Sequence, residues 1–123
     1  MANDENNRFF VSMLNHSLVD KSVVLYEIQV NGPYNSAFTV HDRYSNISKF
    51  HDSVVKGLTN KHNLPSFPGK KLIGKTNPDF IRKRKGLLET FFNNFLAHPE
   101  VNFDKKVIEY FSMLAGGTFE IQT

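Results

Sequence analysis

The sequence predicts an α+β domain in which a three-stranded antiparallel sheet packs against a helical subdomain of about three to four helices. A proline-rich loop interrupts the helical half. Three observations carry this reading. Apolar residues alternate with period two over the first 43 positions, they recur at helical spacing afterwards, and Pro65 and Pro68 break the helical half in two.

The elements follow in chain order. Phe9, Val11 and Met13 alternate with Phe10, Ser12 and Leu14, which predicts a strand over 8–15. Val24, Tyr26, Ile28 and Val30 alternate with Val23, Leu25, Glu27 and Gln29, which predicts a second over 22–30. Asn31 to Ser36 is a turn cluster, and Phe38 and Val40 mark a third strand over 36–43. The period then changes. Ile47, Phe50, Val54 and Leu58 share one helical face, with Ser45 as N-cap. Residues 64–76 hold no regular structure, because the two prolines block helix and central strand alike. The next helix has a well-marked start: Asn77 as N-cap, Pro78 at the first helical position and Asp79 in the first turn. It runs to about Ala97 and stops at His98-Pro99. A last helix spans 103–114, with Phe103, Val107, Phe111 and Leu114 inward, and ends at Gly116-Gly117. Residues 1–7 are expected to be a disordered N-terminus, 8–115 the folded domain and 116–123 a C-terminal tail.

Composition bounds the function. The chain has 123 residues, one domain's worth. Twelve Phe and no Trp predict a phenylalanine-based core. With no cysteine there is no disulfide, thiolate nucleophile or cysteine-held metal. The apolar runs are too short to span a bilayer, and the polar MANDENN start is not a signal peptide. Net charge is only +3, but its distribution is uneven. Lys70, Lys71, Lys75, Arg82, Lys83, Arg84 and Lys85 crowd one stretch against the single acid Asp79, which predicts an anionic partner.

Several residues carry candidate chemistry. On the second helix Ile81, Leu88, Phe91, Phe92 and Phe95 form an apolar stripe, and Arg84 falls near its centre. A guanidinium aimed at a core either snorkels, pairs with a core carboxylate, or lines a polar pocket that takes an anion. Arg43-Tyr44 sits at a strand-to-helix junction, where backbone donors suit an anion, although on these two residues alone a solvated turn arginine with a tyrosine packing on the core edge is favoured. Lys70 and Lys71 follow the stiff proline turn, which is either an ordinary loop or a ligand for another protein's SH3 domain. Leu72-Ile73 is an apolar pair ringed by Lys70, Lys71 and Lys75. It is either a membrane-inserting tip or a fold-back into the core.

Other motifs carry less. Gly69 to Thr76 matches the phosphate-binding pattern G-x-x-x-x-G-K-T in full. Its context fails, because Leu64-Pro65-Ser66-Phe67-Pro68 cannot be the buried strand such a loop must leave, and Asn77-Pro78 starts the helix too late. His16, His41, His51, His62 and His98 show no metal-ligand spacing. Ser45, His41 and Asp42 lack the elbow and oxyanion loop of a catalytic trio. The run Arg82 to Lys85 has no nucleic-acid-binding motif beside it. Neither catalysis, metal, cofactor, nucleotide nor nucleic acid is expected.

Three motifs in order resemble a phox-homology (PX) domain: Asp42-Arg43-Tyr44-Ser45-Asn46-Ile47, then Leu64-Pro65-Ser66-Phe67-Pro68-Gly69-Lys70, then Phe80 to Phe91 with Arg84 ahead of Leu88-Glu89-Thr90-Phe91. The resemblance covers about residues 8–114. It implies that Arg43 holds the 3-phosphate of an inositol headgroup and that Tyr44 packs on the sugar face. It implies that Lys70 contacts the bridging phosphate, with Lys71 and Lys75 as secondary basic contacts, and that Arg84 binds the 4- and 5-hydroxyls. Leu72 and Ile73 would insert into the membrane. Two positions depart from the family pattern: Asp42 stands where a basic residue is common and would trim the positive potential, and Ile47 stands where Phe is common. The implied ligand is phosphatidylinositol 3-phosphate. The implied setting is a cytoplasmic protein peripheral to endosomal membranes, in a sorting-nexin-like trafficking role. The alternative is a protein-interaction domain that keeps the PX fold without strong lipid binding.

Overall fold

A computed structural model describes residues 8–32, 36–70, 74–102 and 104–116. Strands β1 (Phe10–Val19), β2 (Val23–Asn31) and β3 (Ala37–Arg43) are followed by helices α1 (Tyr44–Lys56), α2 (Pro78–Leu96), α3 (Pro99–Asn102) and α4 (Lys105–Leu114). The strands form one antiparallel sheet in the order β1-β2-β3. The predicted α+β class therefore holds.

The period-two pattern places the core on one sheet face. Phe9, Val11, Tyr26, Ile28, Val30 and Val40 all point there and are buried. β1 runs four residues past its predicted end because a bulge between Met13 and His16 shifts its register on β2 and lets pairing continue to Val19–Val23. Asp20 and Lys21 close that hairpin, with φ of 52° and 61°. Two successive positive φ values are what a type I′ turn requires.

Helical residues cover the inner face. Ile47, Phe50 and Val54 face it from α1, and Val107, Tyr110 and Phe111 from α4. α2 lays down Ile81, Leu88, Phe91, Phe92, Phe95 and Leu96. Phe50 stacks on Tyr110 with centroids 4.1 Å apart and meets Phe95 edge-on at 6.2 Å. Each fully buried Phe contributes about 1.5–3 kcal/mol of transfer free energy, so the expected phenylalanine core carries much of the fold. The outer edge of β1 is met by α2: Asn93 Oδ1 accepts from Val11 N–H at 2.8 Å, Asn93 Nδ2 donates to Val11 C=O at 3.0 Å, and Glu89 Oε1 accepts from Met13 N–H at 2.7 Å.

Helix starts follow local chemistry, with two corrections. α2 begins where predicted, Asn77 Oδ1 accepting from Asp79 N–H and Phe80 N–H. α1, however, starts at Tyr44 with Arg43 as its N-cap residue, not Ser45. Asp42 supplies the missing polar partner one residue earlier, accepting from Arg43 N–H at 2.8 Å. The last predicted helix, 103–114, is α4, which starts at Lys105, where Asp104 caps Lys106 N–H at 2.8 Å, and a short helix the sequence did not predict, α3, precedes it from Pro99. Phe103, expected inward, lies outside the described residues. Glu100 of α3 ties the chain after α1, accepting from Thr59 N–H at 3.0 Å, Thr59 Oγ1 at 2.8 Å and Asn60 N–H at 2.7 Å.

Candidate functional site

β3 runs into α1 without a linker, so Arg43 and Tyr44 are fixed at the junction of sheet and helix. Asp42 orders that junction. Its carboxylate is 4% exposed and accepts from Arg43 N–H, from Asn46 Nδ2 at 2.9 Å and from Tyr110 Oη at 2.8 Å. Burial and this neighbouring carboxylate push the Tyr110 hydroxyl far above its ordinary value, so it stays a donor. The carboxylate is thus engaged with α1 and α4.

Arg84 sits in the middle of the buried face of α2, 5% exposed. Its Nη2 donates to the Gly69 carbonyl at 2.5 Å. Its guanidinium carbon lies 3.8 Å from the Tyr44 ring centroid and 4.5 Å from that of Phe80. Burial pulls its pKa down, opposed by the phenols of Tyr26 and Tyr44. Among the described residues no carboxylate forms an ion pair with it. Of the three readings open to a core-facing arginine, pairing and snorkelling both fail here.

The proline loop is pinned from both sides. Tyr44 Oη donates to the Pro68 carbonyl at 2.5 Å, the Tyr44 and Phe67 rings lie 5.4 Å apart, and Arg84 holds Gly69. Lys70 follows immediately, so its backbone is anchored while its side chain is exposed.

These residues enclose a cavity of about 270 Å³. Arg43, Tyr44, Lys70, Lys75 and Arg84 all line it. The structure therefore brings together every described residue that the family resemblance assigns to the headgroup. Lys71, Leu72 and Ile73 lie outside the described residues. The charged side chains on the wall are all cations; Asp42 is not among them. The far wall was not foreseen: Ser22, Val23 and Val24 from the end of the β1–β2 hairpin, and Tyr26 from β2. Tyr26 reads in the sequence as one more inward strand residue, and only its hydroxyl hints at more. Beside this wall Leu18 and Val19 are 51% and 41% exposed.

A larger cavity, about 400 Å³, lies between α1 and α4. It mixes Asp42 and Glu109 with Lys49 and Lys106, and Lys106 Nζ is already bonded to Ser53 C=O at 2.9 Å. The segment ahead of the G-x-x-x-x-G-K-T match carries no strand through residue 70, and α2 opens only at Pro78, so the phosphate-loop context is absent among the described residues. Among those residues no group of His, Asp and Glu could hold a metal, and no helix is long and apolar enough to cross a membrane.

The model of the PX domain family matches residues 30–113. The chain belongs to the PX domain family. The solved structures agree: the chain is similar to a designed CISK-PX domain known from X-ray work, at 26% identity and TM-score 0.68, over 81% of this chain and 95% of that one. No curated protein matches. PX domains are phosphoinositide-binding, membrane-targeting modules and typically non-enzymatic. The cavity between β3, α1, the proline loop and α2 is lined by cations.

Proposed function

We propose that this PX domain recognises phosphatidylinositol 3-phosphate and carries its protein to endosomal membranes, in a sorting or trafficking role. One observation carries the reading. Among the described residues Arg84 is a buried cation without a carboxylate partner, on the wall of a cavity whose other charged residues are also cations. One carbonyl and two ring faces only partly offset a buried charge, so the favoured partner is an anion that arrives from outside.

Residues 8–115 form the binding unit. In it Arg43, exposed at the mouth, takes the 3-phosphate through charge-assisted bonds. Lys70, on its anchored loop, meets the bridging phosphate, and Lys75 and Lys71 add positive charge. Arg84 keeps donors for ring hydroxyls after bonding Gly69, since a guanidinium has five. Tyr44, its ring already beside Arg84, packs against the sugar. The exposed Leu18 and Val19 adjoin the same mouth, which supports an orientation with the mouth toward the membrane and Leu72 and Ile73 inserting.

Sedimentation with liposomes across a panel of phosphoinositides tests this. Wild type should pellet with vesicles containing phosphatidylinositol 3-phosphate more than with any other, and Arg43→Ala should stay in the supernatant with an unchanged unfolding midpoint. Equal sedimentation of Arg43→Ala would remove the pocket. No binding to any phosphoinositide would leave the interaction-domain reading.

A further inference from the structure

Tyr26 is 1% exposed, yet its hydroxyl makes no hydrogen bond to any described residue. It is also not a sealed polar atom: among the described residues the one buried side-chain oxygen or nitrogen with neither solvent nor partner is Asn102 Oδ1. The space that Tyr26 lines is the cationic cavity. A buried hydroxyl without a partner among the described residues calls for an explanation.

The surroundings say which kind of partner is missing. Arg84 is close enough to bias the titration of Tyr26, though the two do not hydrogen-bond. The charged groups on the wall, Arg43, Lys70, Lys75 and Arg84, are donors with no acceptor to offer. Burial raises the pKa of Tyr26, which keeps its proton in place. The O–H thus points into a donor-rich space and needs an acceptor oxygen. A ring hydroxyl oxygen suits that place better than a dianionic phosphate, because the one guanidinium beside Tyr26 is already shared with the Gly69 carbonyl.

We infer that the Tyr26 hydroxyl is a ligand-binding group, donating to a ring hydroxyl oxygen of the bound inositol headgroup at the deep, Arg84 end of the cavity. This rests on the cavity being a phosphoinositide headgroup site. It adds a fifth contact, from the sheet rather than from a helix or loop, and makes the sheet wall a reader of unphosphorylated ring positions.

Tyr26→Phe removes one oxygen and keeps the ring in the core. Calorimetry with soluble inositol 1,3-bisphosphate, alongside thermal unfolding, measures the effect. Affinity should fall roughly five- to tenfold, the range of a single net hydrogen bond, with the unfolding midpoint unchanged or higher. Repeating the titration with 4-deoxy and 5-deoxy analogues separates contact from packing. Wild type should lose several-fold on one analogue, and Tyr26→Phe should lose markedly less on that same analogue. Affinities of the two proteins within twofold of each other would overturn the inference while leaving the headgroup site in place. So would equal losses on both analogues in both proteins, even if Tyr26→Phe were destabilised. Absence of any wild-type binding, to the soluble headgroup and to liposomes alike, would instead overturn the headgroup site, and this inference with it.

Discussion

Arg84 and Gly69 are 15 residues apart in sequence and joined by a hydrogen bond of 2.5 Å. The bond locks the proline loop to α2, so the buried cation and the exposed Lys70 are held by one linkage. Arg84 therefore shapes the pocket as well as charging it.

Arg84→Met should separate the two contributions of this residue. It keeps the apolar stem of the side chain and removes a buried, unpaired charge, so thermal stability should stay level or rise. Headgroup affinity should fall at least about tenfold, since a charge-assisted bond contributes roughly 1.5–3 kcal/mol. Calorimetry and thermal unfolding on one preparation check both. A large drop in stability would mean that Gly69 holds the helix more than the charge strains it.

Asp42→Ala should be severely destabilising. It orphans the Tyr110 hydroxyl inside the core and releases Arg43 N–H and Asn46 at the start of α1. About 2–4 kcal/mol is expected from one buried hydroxyl left unsatisfied plus the lost bonds to Arg43 N–H and Asn46. Chemical denaturation gives the value. Asp42→Ala combined with Tyr110→Phe should recover part of it, because the orphaned hydroxyl is then gone.

Glu100 sets an acid limit on the loop after α1. Backbone and hydroxyl bonds from Thr59, then the Asn60 N–H, hold its carboxyl below its ordinary 4.5. A carboxyl depressed in the folded state contributes stability above its unfolded value and loses it as pH falls through the folded one. The unfolding midpoints of wild type and Glu100→Gln should therefore differ most above pH 4.5 and converge in more acid solution. A difference independent of pH would assign the effect to geometry.

Leu72 and Ile73 should matter for membranes alone. Changing both to Asp should weaken binding to phosphatidylinositol 3-phosphate vesicles strongly, since burying two such side chains contributes roughly 2–5 kcal/mol. Affinity for soluble inositol 1,3-bisphosphate should stay within about twofold, because the headgroup residues are untouched. Equal losses on both ligands would make the pair part of the core.

Much of this was legible in the sequence because the signals are local. Asn77-Pro78-Asp79 specifies the start of α2 through its own hydrogen bonds and proline geometry, and the structure begins the helix there. Arg84 at the centre of a phenylalanine stripe is a conflict visible on a helical projection, and it marks the cationic cavity. The missed features are those in which a side chain finds its partner across the fold. Asp42 reads as a surface acid beside Arg43. It is buried because Tyr110, 68 positions later, arrives beside it. The α1 start lies two residues before the expected one, with Arg43 as the N-cap residue and its N–H held by Asp42. Tyr26 joins the site only once β2 lies beneath the loop and α2. The bulge that extends β1 past residue 15 follows from register, which the apolar pattern alone does not fix.

A domain drawn to a membrane meets copies of itself at high local density, and an open strand border is then an invitation to pair. The bond between Val11 and Asn93 removes that invitation where it would be strongest. The amide of Asn93 occupies both backbone groups of Val11 as a neighbouring strand would, and Glu89 takes the next inward N–H at Met13. No second chain can zip onto those positions without first displacing α2. The helix that carries the buried cation thus also guards the sheet against self-association, so crowding on the bilayer can raise occupancy without seeding clumps along this border.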